Sequence, residues 1–220
     1  MPRLLVVNSS GRKTRSITRR LSGRFADGWL AANPGGKVLR RDLSLQAPTP
    51  VNEAWIASAF APPESLSPVM RAVLSESEML LAEIESADAI VFGVPMYNFG
   101  LPAQLKAYFD QIIRVNRSFA FDPEAHDPYQ PLLADKPTTV IVSVGDGDLL
   151  PGGPLAGLNF LEPHLTVMLD FMGLRSVEFV RVGYEEFQDE RLDRALETAE
   201  QAVARLSAAD RRCDCRPCGT

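Results

Sequence analysis

The chain has 220 residues, 45% hydrophobic and 23% charged, an ordinary balance for one soluble domain with enough length for a full core. No apolar run approaches the ~20 residues of a membrane span, and the short apolar start at 4–7 lacks a signal peptide's longer apolar region and cleavage site, so a cytoplasmic protein is expected. The net charge of −5 divides into +9 over residues 1–41 and −14 over 42–220; the acidic total and the lack of a recognised motif argue against nucleic acid, while a basic front end suits phosphate ligands or a solvated helix face.

Strand and helix alternate along the chain. Residues 4–7 form an apolar run, followed by a polar loop and a helix with Ile17, Leu21, Phe25 and Trp29 every four residues. Residues 37–42 predict a short second strand, and the Pro- and Ala-rich stretch 43–66 predicts an irregular connection. Ser67, with Pro68 behind it, caps a predicted helix whose apolar face carries Met70, Val73, Leu74, Leu80, Leu81 and Ile84. A third strand at 89–94 leads to a helix over 102–113, then a long loop at 114–136 and a fourth strand at 138–144. A Gly-, Asp- and Pro-rich loop at 145–157 precedes a helix over 161–172, a fifth strand at 176–182 and a last helix near 186–206. Near-continuous apolar strands between helices predict an α/β fold with a parallel sheet covered on both faces.

Residues 1–208 read as one domain and 209–220 as a flexible tail. That tail holds Cys213, Cys215 and Cys218, so the body has no disulfide, which fits a reducing compartment. Cys-x-Cys-x-x-Cys offers three metal ligands without an evident fourth, and no metal is expected.

The chemistry concentrates in the loops that follow strands. After the first strand comes Asn8-Ser9-Ser10-Gly11-Arg12-Lys13-Thr14-Arg15-Ser16-Ile17-Thr18. Hydroxyls and free N–H groups at a helix N-terminus suit a phosphate. The loop is neither a Walker A nor a Gly-x-Gly-x-x-Gly motif, which weighs against ATP and Rossmann dinucleotides.

After the third strand comes Pro95-Met96-Tyr97-Asn98-Phe99-Gly100, with Pro102 placed to open the next helix. The loop offers two aromatic rings, an amide that both donates and accepts, and a backbone kept close by Gly100. A flat aromatic cofactor suits it. At the end of the fourth strand, Ser143-Val144-Gly145-Asp146 reads as a tight turn that allows close backbone approach. No Ser/His/Asp or paired-carboxylate arrangement appears, and His126 and His164 have no partner spacing, so hydrolytic machinery is not visible.

The string at 95–110, down to Gln104-Leu105-Lys106-x-Tyr108-Phe109-Asp110, resembles the flavin-contacting signature of the FMN-dependent NADH:quinone reductase/azoreductase family. The resemblance covers roughly residues 3–205. It implies a flavodoxin-like, doubly wound five-stranded sheet of order 2-1-3-4-5.

It also implies one FMN per subunit, held by Ser10, Ser16, Ile17, Thr18, Pro95, Met96, Tyr97, Asn98, Phe99, Ser143, Val144, Gly145 and Asp146, with Asn98 orienting the ring. Ile17 departs from the polar residue common at its position, which leaves a backbone contact possible there. Asp146 replaces the second glycine of the family's Ser-x-Gly-Gly turn, and its carboxylate would repel electron density building on reduced flavin. Phe119-Ala120-Phe121 matches an aromatic stretch near the mouth of the family's site, so Phe99, Phe119 and Phe121 are expected around the substrate; core packing is the equal alternative for the last two.

The activity so implied is two-electron reduction of a quinone or azo compound by NADH or NADPH, in a homodimer. The hydride chemistry resides on the cofactor, so no side chain is expected to act as a catalyst. Two rivals stay open: a flavodoxin-like electron carrier, which the long loops at 43–66 and 114–136 oppose, and a flavin-free module binding another phosphate ligand.

Overall fold

The structure, a computed structural model, describes residues 1–209; the segment carrying Cys213, Cys215 and Cys218 lies outside the described residues. In chain order the elements are β1 (Arg3–Asn8), α1 (Ile17–Ala32), β2 (Lys37–Asp42), α2 (Glu53–Ala59), α3 (Pro68–Val73), α4 (Ser75–Ser86), β3 (Ala89–Pro95), α5 (Ala103–Ile112), β4 (Phe119–Phe121), β5 (Tyr129–Pro131), β6 (Thr138–Ser143), α6 (Leu161–Met172), β7 (Val177–Val182) and α7 (Glu190–Ala208). The main sheet is parallel throughout, in the order β2-β1-β3-β6-β7. With the small antiparallel ribbon β4–β5 set aside, that is the expected 2-1-3-4-5.

Strand alternation sorts the core into two layers, because successive side chains point to opposite faces. Leu5, Val7, Ile90, Phe92, Val94, Val140 and Val142 pack with α4, α5 and α6 through Leu81, Ile84, Phe109, Leu165 and Leu169. Leu4, Val6, Val91, Ile141, Val180 and Val182 pack with α1 and α7 through Leu21, Phe25, Trp29, Val203 and Leu206. Each such side chain, fully buried, contributes about 1.5–3 kcal/mol. The central strands are buried on both faces, which explains why they read as unbroken apolar runs.

Three stretches differ from expectation. Residues 43–66 are not wholly irregular: α2 forms there, capped by Asn52, whose Oδ1 accepts the Trp55 N–H at 3.0 Å. Seven residues are too few for a visible period. Trp55 anchors this insert by donating from Nε1 to Gln111 Oε1 at 2.8 Å, and Gln111 donates from Nε2 to Thr49 O at 2.7 Å.

The single helix expected after Ser67 is two, α3 and α4, parted at Leu74, which turns into a satellite cluster with Trp55 and Ala59. Met70 and Val73 therefore lie off the main core. The long loop at 114–136 contains the β4–β5 ribbon, whose three-residue strands carry too little pattern to detect.

Candidate functional site

The loops after β1, β3, β6 and β7 meet at the carboxyl ends of the strands, where the order reverses between β1 and β3. Open α/β sheets bind ligands at such a point. A cavity of about 120 Å³ opens there, lined by Ser10, Arg12, Arg15, Ser16, Ile17, Thr18, Pro95, Met96, Tyr97, Ser143, Gly145, Glu185 and Glu186. A larger cavity of about 770 Å³ lies at the opposite, amino end of the strands, beside Pro2, Asp88 and Lys136. Its size does not make it the site. It has no glycine-lined or hydroxyl-rich loop, and the Lys136 ammonium is spent on the Ile84 and Ala87 carbonyls at 2.8 and 2.7 Å.

The β1–α1 loop gathers hydroxyls around a helix N-terminus. Ser16 caps α1 by accepting the Arg19 N–H on Oγ at 3.2 Å, and its Oγ also lies 3.2 Å from Thr18 Oγ1. The N–H groups of a first helical turn have no partner within the helix, and the dipole adds positive character there. Ser10 Oγ accepts the Arg12 N–H at 3.2 Å and shapes the turn.

Behind the loop, Arg19 donates to Ser10 O at 2.9 Å, to Ser44 Oγ at 3.2 Å and to the Asp42 carboxylate. Burial pushes the Asp42 carboxyl up, but hydrogen bonds from Arg19 and Ser44 outweigh it and hold it below its ordinary value. A depressed carboxyl stabilises the fold above its unfolded-state value and loses that contribution as pH falls through the folded one. Denaturant melts of wild type and Asp42→Asn should therefore differ by a constant amount at neutral pH. The gap should shrink below about pH 4; a gap independent of pH would mean that the Asp42 charge does not help hold the loop.

The β3–α5 loop is a tight hairpin. Tyr97 and Gly100 exchange both backbone hydrogen bonds at 3.1 Å, and the two residues between them, Asn98 and Phe99, have φ of 47° and 68°. Two left-handed residues in a row make a type I′ turn, which favours Asn and Gly and strains Phe. Strain of this kind collects at ligand sites. Gly100 is not the strained residue, and a Cβ there would meet nothing within 4 Å, so the hairpin itself does not require glycine.

Tyr97 reaches across the cavity: its hydroxyl accepts the Gly11 N–H at 3.1 Å and ties this loop to the β1–α1 loop. Met96 N–H donates to Ser143 O at 2.8 Å, and Phe99 O accepts the Phe160 N–H at 3.0 Å.

At the β6 turn, close approach is needed at Gly147, whereas at Gly145 only the movable end of the Glu186 side chain stands in the way. A Cβ on Gly145 would lie 2.5 Å from the Glu186 carboxyl, and one on Gly147 would lie 2.3 Å from the Tyr184 ring. Asp146 has φ −109°, so its replacement of a glycine demands no left-handed backbone; its Oδ1 accepts the Asp148 N–H at 3.0 Å.

The cavity thus brings together Ser10, Ser16, Ile17, Thr18, Pro95, Met96, Tyr97, Ser143 and Gly145. Asn98 and Phe99 sit on the exposed hairpin tip beside it, and Phe99 is 49% exposed. Val144 is buried in the core below the turn, and its backbone N–H and C=O pair with Val182 and Glu185. Phe119 and Phe121 are on the ribbon, packed with Tyr129 and Phe171 at ring distances of 4.8–6.3 Å, and do not line the cavity.

Sequence reasoning missed Arg12, Arg15, Glu185 and Glu186. The two glutamates follow β7, and the rule that ligands bind beyond strand carboxyl ends would have found them.

The donor set fits a flavin mononucleotide. A hydroxyl-lined helix N-terminus suits its phosphate, and exposed Tyr97 and Phe99 with the Asn98 amide suit a flat ring with a polar edge. Ordinary ligand pockets start near ~300 Å³. A cavity of this size would enclose only one end of such a ligand, with the rest along the hairpin.

The model of the flavodoxin-like fold family matches residues 2–206. A relative from Opitutus terrae, named FMN-dependent NADH:quinone oxidoreductase, is 52% identical over 95% of this chain and 100% of its own. A second such protein, from Trichormus variabilis, is 38% identical over 94% and 99%. Among solved structures, an azoreductase from Bacillus anthracis superposes with a TM-score of 0.84 at 21% identity, covering 94% of this chain and 99% of its own. An FMN-dependent NADH-azoreductase from that organism, solved with FMN, gives 0.80 at 20% identity, over 94% and 100%. These two likenesses speak to the fold.

Proposed function

The chain belongs to the flavodoxin-like family of FMN-dependent NADH:quinone oxidoreductases, and on that premise we propose how its site works. It is an enzyme with FMN as cofactor and NADH as electron donor. We assign the FMN phosphate to Ser10, Ser16, Ile17 and Thr18 at the α1 N-terminus, and the ring to Met96–Phe99 and the Ser143–Asp146 turn. The observation that carries this assignment is the Tyr97 hydroxyl on the Gly11 N–H, which makes one cavity of a phosphate loop and a ring loop.

Bound FMN supplies the hydride acceptor and donor. The chain supplies position: its fixed dipoles and left-handed hairpin hold the ring edge, and Asn98 gives that edge a paired donor and acceptor. Substrates are quinones and azo compounds, the latter cleaved to two amines after two rounds. Phe99, Phe119 and Phe121 are proposed around the acceptor. The small one-sided cavity and the exposed Phe99, Phe121, Tyr129, Phe160 and Val167 support a homodimer in which a second copy helps wall the site. A cytoplasmic setting would supply the nicotinamide.

One open face admits nicotinamide and acceptor only in turn. Steady-state rates at several fixed quinone concentrations should then give parallel double-reciprocal lines. Intersecting lines would mean that both substrates bind together and would overturn the alternating scheme.

A further inference from the structure

The anion cavity contains its own anions. Arg12 and Arg15 line it with Glu185 and Glu186, so two guanidiniums face two carboxylates before any phosphate arrives. The pairs are not alike. The Arg12 guanidinium is bound to the Glu185 carboxylate across the cavity mouth, whereas Arg15 makes no ion pair among the described residues.

The Arg12 backbone is held by the phosphate loop itself: its N–H donates to Ser10 Oγ at 3.2 Å and its carbonyl accepts from Arg19 Nε at 3.4 Å. Its side chain leaves that loop to reach the segment after β7, and it remains 55% exposed there. Glu185 in turn is tied to the β6 turn, its N–H donating to Val144 O at 3.3 Å. A phosphate entering beside Ser10 and Ser16 would meet an unneutralised Glu185 close by if Arg12 left it, and would lose an arginine if Arg12 stayed.

Building on the FMN assignment above, we propose that Arg12 is a further phosphate-binding residue and that Glu185 is its stand-in partner. The guanidinium exchanges the carboxylate for the phosphate when FMN binds. Guanidinium forks match phosphate as well as carboxylate, and the dianion is the stronger partner. Glu185 therefore competes with the cofactor, and its release carries phosphate binding to the β6 turn. The exchange makes the site selective for FMN over riboflavin, which lacks the phosphate.

The test is titration of the full-length chain, stripped of flavin, with FMN and separately with riboflavin, at two salt concentrations, for wild type, Arg12→Gln, Arg12→Lys and Glu185→Gln. Arg12→Gln should weaken FMN at least tenfold, leave riboflavin unchanged and flatten the salt dependence of FMN affinity. Arg12→Lys should recover part of the loss. Glu185→Gln should tighten FMN several-fold without affecting riboflavin. Thermal melts of each variant report folding. If wild type binds FMN but Arg12→Gln leaves its affinity intact, or weakens both flavins alike, the exchange is wrong and the FMN assignment stands. Weaker FMN binding by Glu185→Gln also overturns it. Failure of wild type to bind FMN would overturn the assignment together with the exchange.

Discussion

Gly93→Ala should both destabilise the protein and loosen its hold on FMN. Gly93 lies in β3 where α1 begins its course across the sheet. A Cβ there would sit 2.6 Å from Asn8 Oδ1 and 3.3 Å from Thr18 O. The first neighbour cannot swing away freely, since Asn8 is buried and its Oδ1 accepts the Ser22 hydroxyl at 2.8 Å. The second is backbone in the first turn of α1, among the residues proposed to hold the FMN phosphate.

The methyl must therefore push the helix N-terminus outward. Overpacking of this kind costs about 1–3 kcal/mol of stability. Denaturant melts should show that loss, and FMN titration should show weaker binding at temperatures where the variant is still folded. A variant that is less stable but binds FMN as wild type would mean that the helix start does not carry the phosphate.

Ser16→Ala should cost more in binding than in folding. Ser16 Oγ caps α1 on the Arg19 N–H, and Ser16 lines the cavity proposed for the phosphate. Loss of a hydrogen bond to a charged group costs about 1.5–3 kcal/mol, whereas loss of an N-cap costs about 1 kcal/mol. FMN affinity should fall roughly 10- to 150-fold. Melts of the flavin-free protein give the folding part separately. Unchanged FMN affinity with a lowered melting point would leave Ser16 as a cap alone.

The parts that the sequence reveals and those it hides differ for physical reasons. Leu4–Val7, Ile90–Val94 and Val140–Val142 are buried on both sides of the sheet, so their apolar runs are unbroken and their place in the fold can be read directly. The α1 stripe of Leu21, Phe25 and Trp29 is equally plain, because one helix face carries it all. The loops after β1, β3 and β6 are legible as strand-end turns, but their Ser, Asn and Gly residues also cap helices and make turns, as Ser16 and Asn98 do here.

What stays hidden is set by contacts distant in sequence. Trp55 and Gln111 meet across 56 positions, and Arg12 and Glu185 across 173. Local pattern carries no trace of either. The strain at Phe99 is hidden too, since a phenylalanine gives no sign of a left-handed backbone. Phe119 is a case that sequence leaves open: its aromatic motif suits a site mouth or a packed cluster, and its ring packs on Tyr129 and Phe171.

We propose that this cavity holds FMN and that NADH reduces it there. Purified or reconstituted protein, made anaerobic, should be mixed rapidly with NADH while flavin absorbance is followed, and the cofactor then released and identified by chromatography. FMN should be the flavin released, and NADH alone should bleach its absorbance promptly. Recovery of FAD or of no flavin, or an FMN that NADH cannot bleach, would contradict it, the last outcome favouring an electron carrier in its place.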